Sequence, residues 1–142
     1  MHVEVSILVR APLEKTYAAY TDFESWPKWS AQATDVKVIG REGSAVRIMS
    51  VSGSHERTRI SITNLVLTPP EKVESTSVKR LTRTRRTVTF EGTSDGTKVS
   101  AVLDVEVNGL WRVIFAPRGR EEAESAAREG LKSFAEYAEG LP

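Results

Sequence analysis

Hydrophobic and polar residues alternate at the start of the chain, which predicts a β-strand with one buried face. The apolar positions are Val3, Val5, Ile7 and Val9. After Pro12, which suits the start of a helix, the spacing changes, and Leu13, Tyr17 and Tyr20 share one helical face. We therefore expect a first strand, then a short helix, and a second short helix from Phe23 to Trp26.

From about residue 34 to residue 107 the pattern is that of strands separated by turn residues, and it predicts six antiparallel strands. In the last of them, apolar residues at the odd positions from Val99 to Val107 oppose polar ones. In an earlier strand, Ile60 and Ile62 alternate with polar residues. We expect one apolar face of the sheet, which includes Ile60 and Ile62, and one solvated face.

The last predicted element is one long helix from Arg120 to about Ala138, after Pro117. Acidic residues suit the positive end of the helix dipole near its start; they are Glu121, Glu122 and Glu124. The inward stripe consists mainly of small residues and reads Ala123, Ala127, Gly130 and Phe134. Such a stripe leaves room for a ligand or lets the helix and sheet approach closely. Glycine inside a helix costs about 1 kcal/mol relative to alanine, so Gly130 indicates a steric need.

These elements predict a two-layer α+β fold: a curved, seven-stranded antiparallel sheet wrapped around a long C-terminal helix, with two short helices after the first strand. A sheet of seven strands is wider than one helix, so the short helices would close one end of a gap. A length of 142 residues fits one domain, and we expect a single domain over residues 1–142.

The amino-acid composition excludes several kinds of functional site. The absence of cysteine excludes disulfides, thiolate nucleophiles and cysteine metal sites, and the formal net charge is +1. The two histidines, His2 and His55, form no metal-binding pattern, and His55 fits a solvated turn, so we expect no metal and no cofactor. Phosphate-binding and hydrolase motifs are absent. The first residues form neither a signal peptide nor a membrane span, and we predict a cytoplasmic protein.

The motif Arg10-Ala11-Pro12, then Tyr17, then Thr21 to Trp29 (TDFESWPKW), resembles the START-like helix-grip superfamily (SRPBCC), and within it the polyketide cyclase/dehydrase and coenzyme Q-binding branches. The resemblance covers the whole chain by element order and residues 9–29 by motif. It implies a cavity that holds a hydrophobic small molecule, and no single chemistry, because the superfamily shares a cavity rather than a reaction.

Candidate ligand-binding residues come from the aromatic segment, the apolar strand positions and the helix stripe. They are Tyr17, Tyr20, Trp26, Trp29, Ile60, Ile62, Arg86, Phe90, Ala127, Gly130 and Phe134. The aromatic rings form the mouth of a cavity or join the short helices to the sheet, with Phe23 suited to the core and Trp29 to the mouth. Arg86 shares the parity of Phe90, so it either faces the cavity, where it would bind a carboxylate or enolate, or lies solvated at the strand end.

Five cations between Lys79 and Arg86 surround one predicted hairpin turn. The candidate surface-docking residues are Arg80, Arg83 and Arg85. They would contact anionic lipid headgroups or RNA phosphates, or they only keep the hairpin from pairing with other sheets. No DNA partner is expected.

Three functions remain open. The first is binding or transport of a lipid, quinone or polyketide-like molecule; the second is a cyclase/dehydrase in which Arg86, Tyr17 or His55 handles protons or enolate charge. The third is docking on a membrane or ribosome through the basic hairpin. Because the sequence shows no recognisable acid/base pair, it favours non-catalytic binding.

Overall fold

The computed structural model describes residues 1–31, 33–54, 57–78, 82–107 and 111–142. In chain order the elements are β1 (His2–Val9), α1 (Leu13–Thr21), a 3₁₀ helix (Phe23–Lys28), β2 (Asp35–Glu42), β3 (Ala45–Ser54), β4 (Arg57–Thr68), β5 (Lys72–Val78), β6 (Thr82–Thr93), β7 (Gly96–Val107) and α2 (Trp111–Glu139).

The seven strands form one curved antiparallel sheet in the order β1-β7-β6-β5-β4-β3-β2. Strands β2 to β7 follow one another as hairpins, and β1 pairs with β7, so the first and second strands form the two edges. Together with the two short helices and the terminal helix, this arrangement confirms the predicted α+β helix-grip fold.

The core lies between the concave, inner face of the sheet and α2. Helix α2 packs mainly against β1 and also contacts β7 and α1. Alternate residues of β1 and β7 face it, as their period of two predicts, and Val9, Val99 and Phe134 are fully buried. Since α2 lies towards one edge of the sheet, the inner faces of the middle strands have less helix over them.

The start of α2 differs from the prediction. The helix begins at Trp111 rather than at Arg120, and Pro117 lies within it. An interior proline costs a helix about 3 kcal/mol but does not forbid it, so a proline is an unsafe guide to a helix start. The acidic residues Glu121, Glu122 and Glu124 therefore lie beyond the first turn, and the predicted dipole role for them is wrong.

Strand β4 faces the opposite way to the prediction. Leu65 lies opposite Val46 on β3, and both are buried, with 1% and 3% of their surfaces exposed. The odd-numbered residues of β4 consequently face the core, and Ile60 and Ile62 lie on the outer face, 66% and 41% exposed. Because strand side chains alternate strictly, one buried residue fixes the facing of the whole strand. The prediction that Ile60 and Ile62 line the cavity is wrong.

Candidate ligand-binding site

The aromatic segment after α1 connects the short helices to the sheet and to α2. Phe23 is in the core, with 1% of its surface exposed, as predicted. The Trp26 indole Nε1 donates a hydrogen bond of 2.8 Å to the Tyr20 carbonyl oxygen, which fixes the 3₁₀ helix against the end of α1. The Phe23 and Trp26 rings meet edge to face at 5.3 Å. Trp26 is therefore a structural contact of this segment, and its polar atom is already paired.

Tyr20 is the centre of the aromatic cluster. Its ring centroid lies 5.5 Å from that of Phe90 on β6 and 5.4 Å from that of Phe134 on α2. Trp29 packs at 6.0 Å from Tyr20 and 5.1 Å from Phe134. The four rings bring α1, the residue that follows the 3₁₀ helix, the sheet and α2 together at one place.

Trp29 carries a buried polar atom without a partner. Its Nε1 is shielded from solvent and makes no hydrogen bond, whereas the Nε1 of Trp26 is paired. An unpaired buried N–H group costs about 1–3 kcal/mol, so it is normally satisfied by a bound molecule or by another polar group. The sequence suggested Trp29 as a mouth residue but gave no sign of this free donor.

Arg86 lies on the inner face of β6, opposite Leu103 on β7 and Ser75 on β5. Its guanidinium lies near enough to the Tyr20 hydroxyl to act on it by charge. Burial raises the pKa of Tyr20 above its usual 10.0, and the neighbouring Arg86 charge opposes part of that rise. At neutral pH a protonated phenol and a half-buried cation therefore face the interior together.

Hydroxyl side chains occupy part of the inner face of the middle strands, beside buried aliphatic residues such as Ile48 and Leu65. In the strand registers Ser50 lies opposite Ser61, Thr63 opposite Ser77, and Ser77 opposite Thr84. All five residues are half-buried. The sequence analysis assigned the polar residues of β4 to the solvated face, and the parity that Ser61 and Thr63 share with the buried Leu65 is the signal that would have identified these two.

Helix α2 has open space at Gly130, which is half-buried. Phe134 is fully buried, Ala127 packs at the margin of the core, and Gly130 lies one turn from each on the same face. A methyl group added at Gly130 would meet no atom within 4 Å. Gly130 therefore does not serve a close approach of helix and sheet, and the alternative of open space is the one the structure supports.

The remaining interior candidate, Tyr17, belongs to the core at the α1 end. Its hydroxyl donates a hydrogen bond of 3.1 Å to the Lys72 carbonyl oxygen, and its ring meets Phe90 edge to face at 5.1 Å. Burial raises the pKa of Tyr17 as well. Because its hydroxyl is bonded to the backbone, Tyr17 has a structural role in the core, which distinguishes it from Tyr20 and Arg86. His55 lies outside the described residues.

The predicted surface-docking residues lie on the outer face. Arg83 and Arg85 are exposed, and they lie opposite Glu106 and Asp104 on β7. Arg80 lies outside the described residues. Because a carboxylate lies opposite each of these two arginines, the net positive charge around the hairpin is lower than the hairpin sequence alone suggests.

Neither a metal site nor a membrane-spanning helix is found within the described part of the chain. No group of three or more His, Asp or Glu residues there is arranged to hold a metal ion. No helix there is both long and apolar enough to cross a bilayer.

Comparison with known proteins agrees with this architecture. The family described as polyketide cyclase / dehydrase and lipid transport has a model that matches residues 1–139. The chain belongs to this family. The predicted membership of the START-like helix-grip superfamily is thereby confirmed, while the resemblance to the coenzyme Q-binding branch stays a prediction. No curated protein matches the sequence closely enough to support an assignment.

Several solved structures share the fold of this family member. The protein TTHA0849 from Thermus thermophilus is 18% identical, with a TM-score of 0.84 over 97% of both chains. The Zhui aromatase/cyclase from Streptomyces sp. R1128 is 12% identical, with a TM-score of 0.82 over 98% of this chain and 93% of that one. A START superfamily protein from Mycobacterium smegmatis is 20% identical, with a TM-score of 0.71 over 98% and 94%. At these identities the likeness concerns the fold alone.

Proposed function

We propose that the protein binds an amphipathic small molecule between the inner face of the sheet and α2, with its apolar part towards β1 and β7 and its oxygen-bearing end towards β4, β5 and Arg86. The observation that carries this proposal is the change in the inner face of the sheet. It is aliphatic on β1 and β7, where α2 packs, and it combines half-buried hydroxyl groups with buried aliphatic residues on the middle strands.

The polar half of the inner face matches a ligand with hydrogen-bond acceptors. A half-buried guanidinium binds carboxylate, carbonyl or enolate oxygens well because such charge-assisted hydrogen bonds are roughly twice as strong as neutral ones. The unpaired Nε1 of Trp29 is a second donor. Lipids with an acid group, quinones and polyketide-like compounds all combine an apolar body with such oxygens, which is why we keep these three classes.

The apolar half accounts for affinity. Burial of roughly 300 Å² of apolar ligand surface yields about 7 kcal/mol before the costs of association, which suffices for useful binding without any chemistry. The open space at Gly130 is suited to the apolar part because Ala127 and Phe134 lie about one turn away on α2.

Native mass spectrometry of the protein purified from cells, followed by tryptophan fluorescence titration, tests this proposal. The probes are decanoate, a short-chain quinone and an aromatic polyketide, one for each class. We expect at least one to bind, and we expect Gly130→Leu, which fills the space, and Arg86→Gln, which removes the cation, to weaken its binding. Lys98→Gln, an exposed charge on the outer face, is the matched control. Binding that is equal in all three variants, or no binding of any probe together with no retained molecule, would count against the proposal.

A second candidate is an enzyme of the cyclase/dehydrase kind, and the observation that favours it is the contact between Arg86 and the buried Tyr20. A guanidinium stabilises negative charge that develops on an enolate oxygen, and an un-ionised phenol can donate a hydrogen bond to it. The test is turnover of a poly-carbonyl substrate by the wild type and by Tyr20→Phe and Arg86→Lys. Turnover that survives both substitutions would exclude these roles. If the protein binds the substrate without converting it, the proposed binding or transport function remains.

A further inference from the structure

Five aliphatic side chains lie together on the outer face of the sheet, opposite the side on which the helices pack. They form what we call the outer apolar patch, which consists of Met49, Val51, Ile60, Ile62 and Val78. Met49 lies opposite Ile62, and Val51 lies opposite Ile60. Val78 follows Ser77, the partner of Thr63, and so lies beside Ile62.

Three of the five residues of the patch are exposed, and Met49 and Val51 are half-buried. Ile60 and Val78 have 66% and 68% of their surfaces exposed, and Ile62 has 41%. Single exposed aliphatic residues are common, but adjacent ones on three strands form a contiguous surface of the kind that usually has a partner. None of these residues contributes to the interior, so the ligand-binding proposal does not account for them.

Cations border the patch on two sides. Lys37 on β2 lies opposite Met49, and Arg83 on β6 lies opposite Val78, so one row across the sheet runs from a cation through three aliphatic residues to a cation. With neighbouring strands about 4.8 Å apart, the row is roughly 19 Å wide. The next row has Arg47 on β3 and Arg85 on β6, with Asn64 and Thr76 between them, and all four cations are exposed.

Acidic residues lie mostly outside this border. Asp35, opposite Val51, is the one carboxylate directly beside the patch within the described residues. Glu106 and Asp104 lie one strand beyond Arg83 and Arg85, and the Asp104 carboxylate is bound by the His2 ring at 2.7 Å. The residues that directly border the patch are therefore mainly cations, and the carboxylates of Glu106 and Asp104 lie on the side of Arg83 and Arg85 that faces away from the patch.

We propose that the outer apolar patch docks on a membrane surface that contains anionic lipids. Aliphatic side chains enter the boundary between headgroups and acyl chains, and the cations around them bind lipid phosphates. A second copy of the chain fits less well, because a two-fold contact would bring one cationic border against the other. Single-stranded nucleic acid also fits less well, since the patch has no aromatic ring on which bases stack.

Sedimentation with lipid vesicles tests this surface. The protein is mixed with vesicles of phosphatidylcholine alone and of phosphatidylcholine with added phosphatidylglycerol, at low and high salt. We expect binding to the anionic vesicles only, with weaker binding at high salt because exposed charges are screened. Lys37→Ser and Arg83→Ser should each lower the partition coefficient about fivefold, the contribution of one cation near an anionic surface. The double variant Ile60→Ser and Ile62→Ser should also lower it.

A matched control is available on the same face. Leu8 on the edge strand β1 is 42% exposed and lies opposite Lys98 on β7, away from the patch. Leu8→Ser and Lys98→Ser make the same changes outside the patch and should leave vesicle binding unchanged. Equal binding of patch and control variants, or no preference of the wild type for anionic vesicles, would overturn the proposal, as would a dimer in solution that the Ile60→Ser variant dissociates. Circular dichroism confirms folding, and probe binding by the patch variants reports on the interior separately.

Discussion

Replacement of Gly130 by alanine is expected to stabilise the protein. Gly130 lies inside α2, its φ is not positive, and a methyl group there would meet no atom within 4 Å. The substitution therefore gains the helix propensity of alanine, about 1 kcal/mol, without steric cost. For a chain of this size that corresponds to an increase in Tm of roughly 3 °C.

Gly130→Ala should instead destabilise the protein if the small residues of α2 serve to let the helix approach the sheet closely. If α2 approached the sheet closely at Gly130, a methyl group would overpack the contact and lower the free energy of unfolding by about 1–3 kcal/mol. Thermal and urea denaturation of the ligand-free protein separate the two cases. A destabilised Gly130→Ala variant would refute our account of the space beside the helix.

Gly96 provides the contrasting control. Its φ is +149°, and a methyl group there would lie directly against the Val9 carbonyl oxygen, which belongs to the backbone and has little room to move. Gly96→Ala should therefore destabilise the protein in the same assays, while Gly130→Ala stabilises it.

Three further predictions concern packing and ionisation. Phe134→Ala should lower the free energy of unfolding by about 3–5 kcal/mol, since the ring is fully buried among other rings; a loss below about 1 kcal/mol in urea denaturation would contradict this. Burial raises the pKa of Tyr20, so the contribution of the protonated phenol to stability is complete below pH 10.0 and is lost as the pH rises through the higher pKa of the folded state. The free energy of unfolding measured above pH 10.0 should therefore decline, and a free energy that does not change with pH there would contradict this prediction. Hydrogen bonding to Asp104, and then to Glu4, raises the pKa of His2 above 6.5, and an NMR titration should find it lower in Asp104→Asn.

Much of the fold was predictable because the strands at one side of the sheet are amphipathic. In β1 and β7 the apolar residues occupy every second position and face α2, so the period of two gives the strands and their facing at once. The short helix α1 was equally clear from Pro12 and the spacing of Tyr17 and Tyr20.

The candidate site was harder to predict because its middle strands reverse the usual pattern. In β4 the isoleucines face outward and Ser61 and Thr63 face inward, and only the pairing of Leu65 with Val46 reveals it. Arg86 was identified by its parity with Phe90, but its contact with Tyr20 joins residues far apart in the chain. The unpaired Nε1 of Trp29 depends on the orientation of one indole ring, which spacing does not encode.

The central claim, that a small molecule occupies the interior beside Trp29 and Arg86, is tested most directly by NMR of the indole N–H groups during titration with a probe that binds. Trp29 and Trp26 form an internal comparison, because the Nε1 of Trp29 is unpaired and that of Trp26 is held by the Tyr20 carbonyl. We predict a large shift of the Trp29 signal, a small shift of the Trp26 signal, and loss of the Trp29 shift in Gly130→Leu. A bound probe that leaves the Trp29 signal in place, or that shifts it equally in Gly130→Leu, would contradict the account.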